Sequence, residues 1–184
     1  MGTYRQSVVD LEATEEEAAA LGERARRWLE TEGFIRPVPW RGEMVQLAGP
    51  RWREAVELVP WDWRARIKDL EEEPGGPLEI VTGRTVFFSG LSEAPAVICP
   101  HCRTTDPTWP GQAVDTWYAT GGADLDCPAC ARRAPLAHWD WTDDALALAH
   151  LGFRFDDWPP LHPDFTAALG GALGHRIRVL ACKI

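Results

Sequence analysis

Residues 4–13 read YRQSVVDLEA, and residues 14–17, TEEE, follow directly. The first stretch alternates. Ser7, Val9 and Leu11 fall on one side and Gln6, Val8 and Asp10 on the other, which predicts a strand with two distinct faces. Thr14 and Glu17 stand in the capping-box relation, and an acidic first turn suits the positive end of a helix. Ala18, Leu21, Ala25, Trp28 and Leu29 then make one helical stripe. Gly33 ends the helix, and FIRPVPW at 34–40 leaves in extended form because Pro37 and Pro39 enforce it. The chain therefore opens with a strand-helix unit.

The other end mirrors this. In LHPDFTAALGGALGHRIRVLACKI at 161–184, Phe165, Ala168, Leu169, Ala172 and Leu173 are spaced for one helix face. Gly174 is placed to cap that helix. RIRVLACKI then alternates, with Ile177, Val179 and Ala181 on one face and Cys182 opposite, where a thiol packs as a small hydrophobe. Gly170 and Gly171 cost about 1 kcal/mol each inside a helix, which close packing on a sheet would explain. Between the two units, LEIVTGRTVFFSG at 78–90 reads as two short β runs around Thr82-Gly83-Arg84, a hairpin. Short helices are expected in GPRWREAVELV at 49–59, in PWDWRARIKDLEEE at 60–73 with a stripe of Trp63, Ile67 and Leu70, and in DDALALAHLGF at 143–153. EPGGP at 73–77 is a break, and FRFDDW at 153–158 is read as a strand.

Strand-helix, hairpin and helix-strand in that order imply an α+β fold: a mostly antiparallel sheet with helices on one face. A split βαβ, ferredoxin-like plan is the first topology expected. Residues 1–96 and 136–184 then form a single α+β domain, and residues 97–135 form an insert.

The insert contains four of the five cysteines, as CPHC at 99–102 and CPAC at 127–130. Zinc takes four thiolates in a tetrahedron, and two C-x-x-C knuckles supply them. Cys99, Cys102, Cys127 and Cys130 are therefore the predicted metal ligands of a zinc ribbon, with residues 103–126 folding back as a β-hairpin. CPHC also occurs as a thioredoxin-type redox site, but that site opens a helix whose N-terminus lowers the thiol pKa. Here Pro107 and Pro110 forbid a regular helix over 103–111, and the second pair would be unexplained. Rubredoxin-type iron is the less favoured metal, because its knuckles usually carry Gly where Arg103 and Ala131 stand. Four sulfurs close the coordination sphere, so the site is structural rather than catalytic.

Composition narrows the function. The 184 residues are 45% hydrophobic and carry a net charge of -9. An acidic chain whose insert has few cations lacks the basic stripe that nucleic-acid binding needs. No apolar run is long enough to span a membrane, and no signal peptide or myristoylation pattern is visible, so the expected location is the cytoplasm. P-loop, GxGxxG, GxSxG and HExxH motifs are all absent from the sequence, and nothing nominates a reaction. His101, His138, His150, His162 and His175 are scattered without ligand spacing, and read as surface or helix-end histidines. Asp143, Asp144, Asp156 and Asp157 read as cap and loop carboxylates, with an acid/base pocket near Asp156 and Asp157 as the enzyme alternative.

Ten tryptophans remain to be placed. Most are expected to brace the insert, and Trp109, Trp117, Tyr118, Trp139 and Trp141 are the candidate partner-binding residues, since aromatic anchors dominate interfaces. The stretches YRQSVVDL and EGFI, VTGRTVFFSG, the two CPxC knuckles, APLAHWDW, and LGFRFDDWPPLHPDF with LGHRIRVL together resemble a group of uncharacterised actinobacterial cytoplasmic proteins. The resemblance covers nearly the whole chain and is most specific at the knuckles and at WPPL-x-P-x-F. It implies the same architecture and a zinc site, and no catalytic residue. The expected function is a non-catalytic, zinc-stabilised protein-binding module, of inhibitor or immunity type in its most concrete form; a small enzyme with a Trp- and Asp-lined pocket and a nucleic-acid-binding zinc ribbon are the alternatives.

Overall fold

A computed structural model describes residues 3–57, 76–90 and 95–183. In chain order these residues form β1 (Tyr4–Asp10), α1 (Ala18–Thr31), β2 (Ile35–Trp40), β3 (Glu43–Ala48), β4 (Leu78–Phe88), β5 (Val97–Ile98), β6 (Thr105–Asp106), α2 (Gly111–Thr120), β7 (Asp124–Asp126), β8 (Arg133–Pro135), β9 (Asp140–Trp141), β10 (Leu146–Asp156), α3 (Pro163–Leu173) and β11 (Ile177–Lys183). The main sheet has the order β11-β1-β10-β4-β3-β2, and all its neighbours are antiparallel. Its four long strands carry the split βαβ plan: β1-α1-β4 and β10-α3-β11 interleave, as the two terminal units imply.

Both helices pack on one face. Val8 of β1, Ala25 and Leu29 of α1, Leu151, Phe153 and Phe155 of β10, and Phe165, Leu169 and Leu173 of α3 share a single core. The capping box exists: the Thr14 N–H and hydroxyl donate to Glu17 Oε2 at 3.2 and 2.8 Å, and the Glu17 N–H donates to the Thr14 hydroxyl at 3.3 Å. Close packing does not demand either of the paired glycines: a Cβ on Gly170 would sit at an ordinary contact distance of 3.4 Å from Ile177, and one on Gly171 would meet nothing. The buried Gln6 fastens the stretch after β10. Its amide donates to the carbonyls of Trp158 (3.2 Å) and Pro159 (2.8 Å), and its oxygen accepts the Leu161 N–H at 2.8 Å.

Val9, Phe87, Ala147, Ala149 and Leu180 form a smaller core apart from the helices. The sheet curls until the end of β4 reaches β11, where the Ser89 hydroxyl donates to the Ala181 carbonyl at 2.9 Å.

Three expectations need correction. Residues 78–90 do not form a hairpin. Residues 78–88 are one strand, in which Thr82 pairs with Leu151 and Thr85 with Ala149, so Gly83 and Arg84 bulge opposite His150. Gly83, at φ +91, turns the backbone without ending the ladder, because both runs pair with the long β10 rather than with each other. Residues 146–153 are strand, not helix: leucine and alanine favour helix in isolation, but here this stretch is paired with β4 and buried. A tight hairpin forms instead at β2-β3, turning at Arg41 and Gly42, both at positive φ, as a two-residue loop of this hand requires. Where a helix is expected in 49–59, the described residues 49–57 form a 3-10 turn at Trp52–Ala55. The helix expected in 60–73 lies outside the described residues. No helix among the described residues is long and apolar enough to cross a membrane.

Candidate metal centre

The two knuckles repeat one backbone pattern. In the first, the Cys99 carbonyl accepts the Arg103 N–H at 3.0 Å and the Cys99 N–H donates to the Thr104 carbonyl at 3.0 Å. In the second, the Cys127 carbonyl accepts the Ala131 N–H at 2.8 Å and the Cys127 N–H donates to the Arg132 carbonyl at 3.0 Å. Each turn closes on a left-handed residue, Arg103 at φ 59 and Ala131 at φ 56. These are the two positions at which the sequence lacks the usual knuckle glycine. The turns adopt the glycine conformation without it, at a local cost of about 1–2 kcal/mol each.

The turns aim all four sulfurs at one point. Cys99 Sγ lies 3.9 Å from Cys130 Sγ, and Cys102 Sγ lies 3.6 Å from Cys127 Sγ. All four lie within 4.8 Å of one another. Metal–sulfur bonds of zinc-site length, about 2.3 Å, in a tetrahedron imply sulfurs about 3.8 Å apart, so the donor set fits. Cys99 and Cys127 are buried, Cys130 is half-buried and Cys102 is exposed. The Thr104 hydroxyl and N–H beside Cys102 draw its thiol down to about 6, whereas desolvation and the neighbouring sulfurs push Cys130 up to about 11. Cys99, Cys102, Cys127 and Cys130 are thus positioned to hold a metal ion, and nothing in the four-sulfur set leaves a coordination position for substrate.

The fold of the module differs from expectation between the knuckles. Residues 111–120 form α2, not a hairpin arm. Both prolines precede it, with Pro110 at its N-cap, so they start the helix rather than interrupt it. Val114 and Trp117 make its buried face, and Gly121, at φ 85, caps it through an N–H to the Trp117 carbonyl at 2.7 Å. β7 and β8 pair with each other, and β5 pairs with both β6 and β9. Val97, Cys99, Val114, Trp117, Cys127, Leu136, Trp139 and Trp141 pack together, and Leu146 and Leu148 of β10 join them. The metal module therefore rests directly on the main sheet.

The five candidate partner-binding residues divide accordingly. Trp117, Trp139 and Trp141 are buried, with 3–4% of their surface exposed, and brace the module from within. Trp109, tilted against Trp141 at 5.6 Å, and Tyr118 are exposed. The structure does not bring the five onto one surface. Trp40 and Met44, at the tip of the β2-β3 hairpin, are more exposed than Trp109. Their exposure follows from a hairpin that the local pattern at 34–48 did not signal.

Charged groups pin the module to the core. Asp140 takes Arg103, the residue after a ligand, on one oxygen and Arg178 of β11 on the other at 2.9 Å; Arg178 also meets Asp144 at 3.1 Å. Arg103, then Arg178, hold the Asp140 carboxyl below its usual value. On the other side of the seam the Trp117 ring lies 5.6 Å from His150, and burial lowers the His150 pKa.

Asp156 pairs with Arg5 at 2.6 Å and Asp157 accepts the Tyr4 N–H at 2.9 Å, so both carboxylates tie β1 to the end of β10. His162 caps α3, its Nδ1 accepting the Asp164 N–H at 3.1 Å. Cys182 is buried, and burial raises its thiol pKa. Sequence reasoning missed the contact of His175 with Asp10. Asp10 is fully buried, accepts the Glu12 and Ala13 N–H groups at 2.9 Å each, and lies 2.9 Å from His175 Nδ1. Nothing local signals a pair so far apart in the chain.

Fold and site together define an α+β protein whose sheet carries a four-cysteine metal-binding module. No protein-family model matches the chain, and no curated protein or solved structure matches it significantly.

Proposed function

We propose that the chain is a non-catalytic protein-binding module stabilised by structural zinc, acting in the cytoplasm, with an inhibitor or immunity-type protein as its most concrete form. The closed set of four sulfurs supports this reading above all. A catalytic zinc keeps an open position, and a centre of four thiolates has none. Thiolate ligands suit zinc, and a reducing compartment keeps them available. The net charge of -9 suits the covering of a basic partner surface, and the exposed Trp40, Trp109 and Tyr118 are anchors of the type that dominates interfaces.

The test has two arms. Metal analysis of protein purified without added metal should return one zinc per chain; iron, or no metal, would remove the zinc assignment. Proteins retained from host extract should then be made recombinantly and mixed with the purified chain. A stable complex that forms from the two pure components supports the binding reading, and failure of every candidate to reassociate would count against it.

A further inference from the structure

The four sulfur ligands are not equally sheltered. Cys99 and Cys127 are buried and Cys130 is half-buried, but Cys102 is exposed. His101, Arg103 and Thr104 around it are exposed as well, so no apolar shell closes over this corner of the site. A small reagent in solution therefore meets Cys102 first. Ligation keeps that sulfur a thiolate, the form that reacts with two-electron oxidants.

A second sulfur stands beside it. Cys102 Sγ lies 3.6 Å from Cys127 Sγ on the other knuckle, closer than the 3.9 Å between Cys99 and Cys130. A disulfide brings its sulfurs to about 2.05 Å, so this pair closes by a movement of about 1.5 Å. Cys99 is engaged elsewhere: its sulfur accepts the His101 N–H at 3.4 Å and faces Cys130. Arg103, directly after Cys102, sits at φ 59, a conformation that a residue other than glycine keeps only where its surroundings impose it. The first knuckle is free to relax once its second ligand is lost.

We propose that Cys102 is a site of reversible oxidation by hydroperoxides, with Cys127 as the thiol that resolves it. The Cys102 thiolate attacks one peroxide oxygen; an S–O bond forms, the O–O bond breaks, and hydroxide or alkoxide leaves. The Cys127 thiolate then attacks the Cys102 sulfur; the S–S bond forms, the S–O bond breaks, and hydroxide leaves. The two thiolates have lost two electrons and the peroxide has gained them. The site keeps two of its four donors and no longer holds its metal. A dithiol reductant returns the two electrons and restores both ligands.

The change reaches the rest of the fold through named contacts. Cys127 shares its buried cluster with Trp117, Trp139 and Trp141, so its withdrawal unpacks the module. Arg103 shares Asp140 with Arg178 of β11, so movement of the first knuckle alters the tie between module and main sheet. The proposal rests on the structural-zinc reading and adds how that centre is regulated.

Peroxide titration of the zinc-loaded protein tests it. Zinc content is measured before treatment, which judges the structural-zinc reading by itself. A metallochromic indicator then follows zinc release, tryptophan emission follows opening, and differential alkylation with peptide mapping reads each cysteine. Dimedone in a parallel sample traps sulfenic acid. The expected result is dimedone labelling of Cys102 at least about tenfold above that of any other cysteine. One zinc should leave for each Cys102–Cys127 disulfide, the buried Cys182 should stay reduced, and dithiothreitol with zinc should restore the starting emission. Cys102→His keeps a zinc donor but no thiol, and should hold its zinc at peroxide levels that empty wild type. Zinc retained by wild type with Cys102 still reduced, first labelling at another cysteine, a disulfide other than Cys102–Cys127, or equal zinc loss from zinc-loaded Cys102→His would overturn the proposal. If Cys102→His does not fold with zinc, the mapping of wild type decides alone.

Discussion

The ring of Phe87 lies across the α-carbon of Gly152, so closely that a Cβ on Gly152 would stand 2.4 Å from Phe87 Cζ. The ring fills the inside of the curled sheet with Val9, Ala147, Ala149 and Leu180. Gly152→Ala should therefore cost about 1–3 kcal/mol, the range for overpacking a filled core. Urea unfolding of Gly152→Ala, Phe87→Leu and the double variant checks this. The double variant should recover part of the loss, because the smaller side chain removes the clash. Purely additive losses would mean that the two residues do not meet.

Gln6 serves three backbone groups at once, those of Trp158, Pro159 and Leu161. Gln6→Leu keeps the volume but strands all three in a buried site. A loss of about 2–4 kcal/mol is expected, since each unpaired buried group costs about 1–3 kcal/mol and neighbouring losses overlap. Equilibrium denaturation measures it. A loss below about 0.5 kcal/mol would show that these groups find other partners.

Ala131→Gly should stabilise the metal-loaded protein by roughly 0.5 kcal/mol. The left-handed φ of 56 at Ala131 costs about 1–2 kcal/mol without glycine, and the greater unfolded-state freedom of glycine returns part of that. Arg103→Gly relieves the same strain but loses the Asp140 pair, so it should gain less. Thermal melts of the two variants at equal zinc loading separate the effects.

Chelation should open the module. Metal binding to thiolates contributes folding free energy directly, and Trp117, Trp139 and Trp141 are buried in the cluster that holds Cys99 and Cys127. A strong chelator, or Cys99→Ser, is expected to red-shift tryptophan emission and lower the melting temperature, with zinc restoring wild type only. Unchanged emission after complete zinc removal would refute the structural role.

His150 gives a pH dependence with a definite sign. Burial lowers its pKa below the usual 6.5, so the unfolded chain binds the proton more readily than the folded one. Its contribution is complete above about 6.5 and is lost as pH falls through the folded value. His150→Phe should flatten the decline in melting temperature between about pH 7.5 and 5.5 relative to wild type. Zinc affinity also falls with acid, so the difference between the two proteins at equal zinc loading is the relevant reading. Equal slopes would remove His150 from the response.

Local patterns carried much of this molecule. The alternation in 4–10, the Thr14–Glu17 box, the stripe of Phe165, Leu169 and Leu173 with Gly174 behind it, and the paired CPxC turns each depend on residues a few positions apart. Side-chain period, capping and knuckle geometry are set by such neighbours, so strand, helices and ligand set were legible in the chain. The α+β class and the two terminal units were read correctly, but the central strands of the split βαβ plan are β4 and β10 rather than the two arms of a hairpin in 78–90.

Tertiary structure decided what depends on distant partners. Residues 78–88 and 146–156 became two long strands because each supplies the other's hydrogen bonds over its whole length, and that overrode both the turn signal at Gly83 and the helix preference of Leu and Ala. Burial of Trp117, Trp139 and Trp141 depended on β10 lying beneath the module. The contact of His175 with Asp10 appears only once β1 pairs with β11. The sequence determined which residues are placed to gather a metal; the folded sheet determined which surfaces remain exposed, because exposure belongs to the whole packing and not to any short stretch.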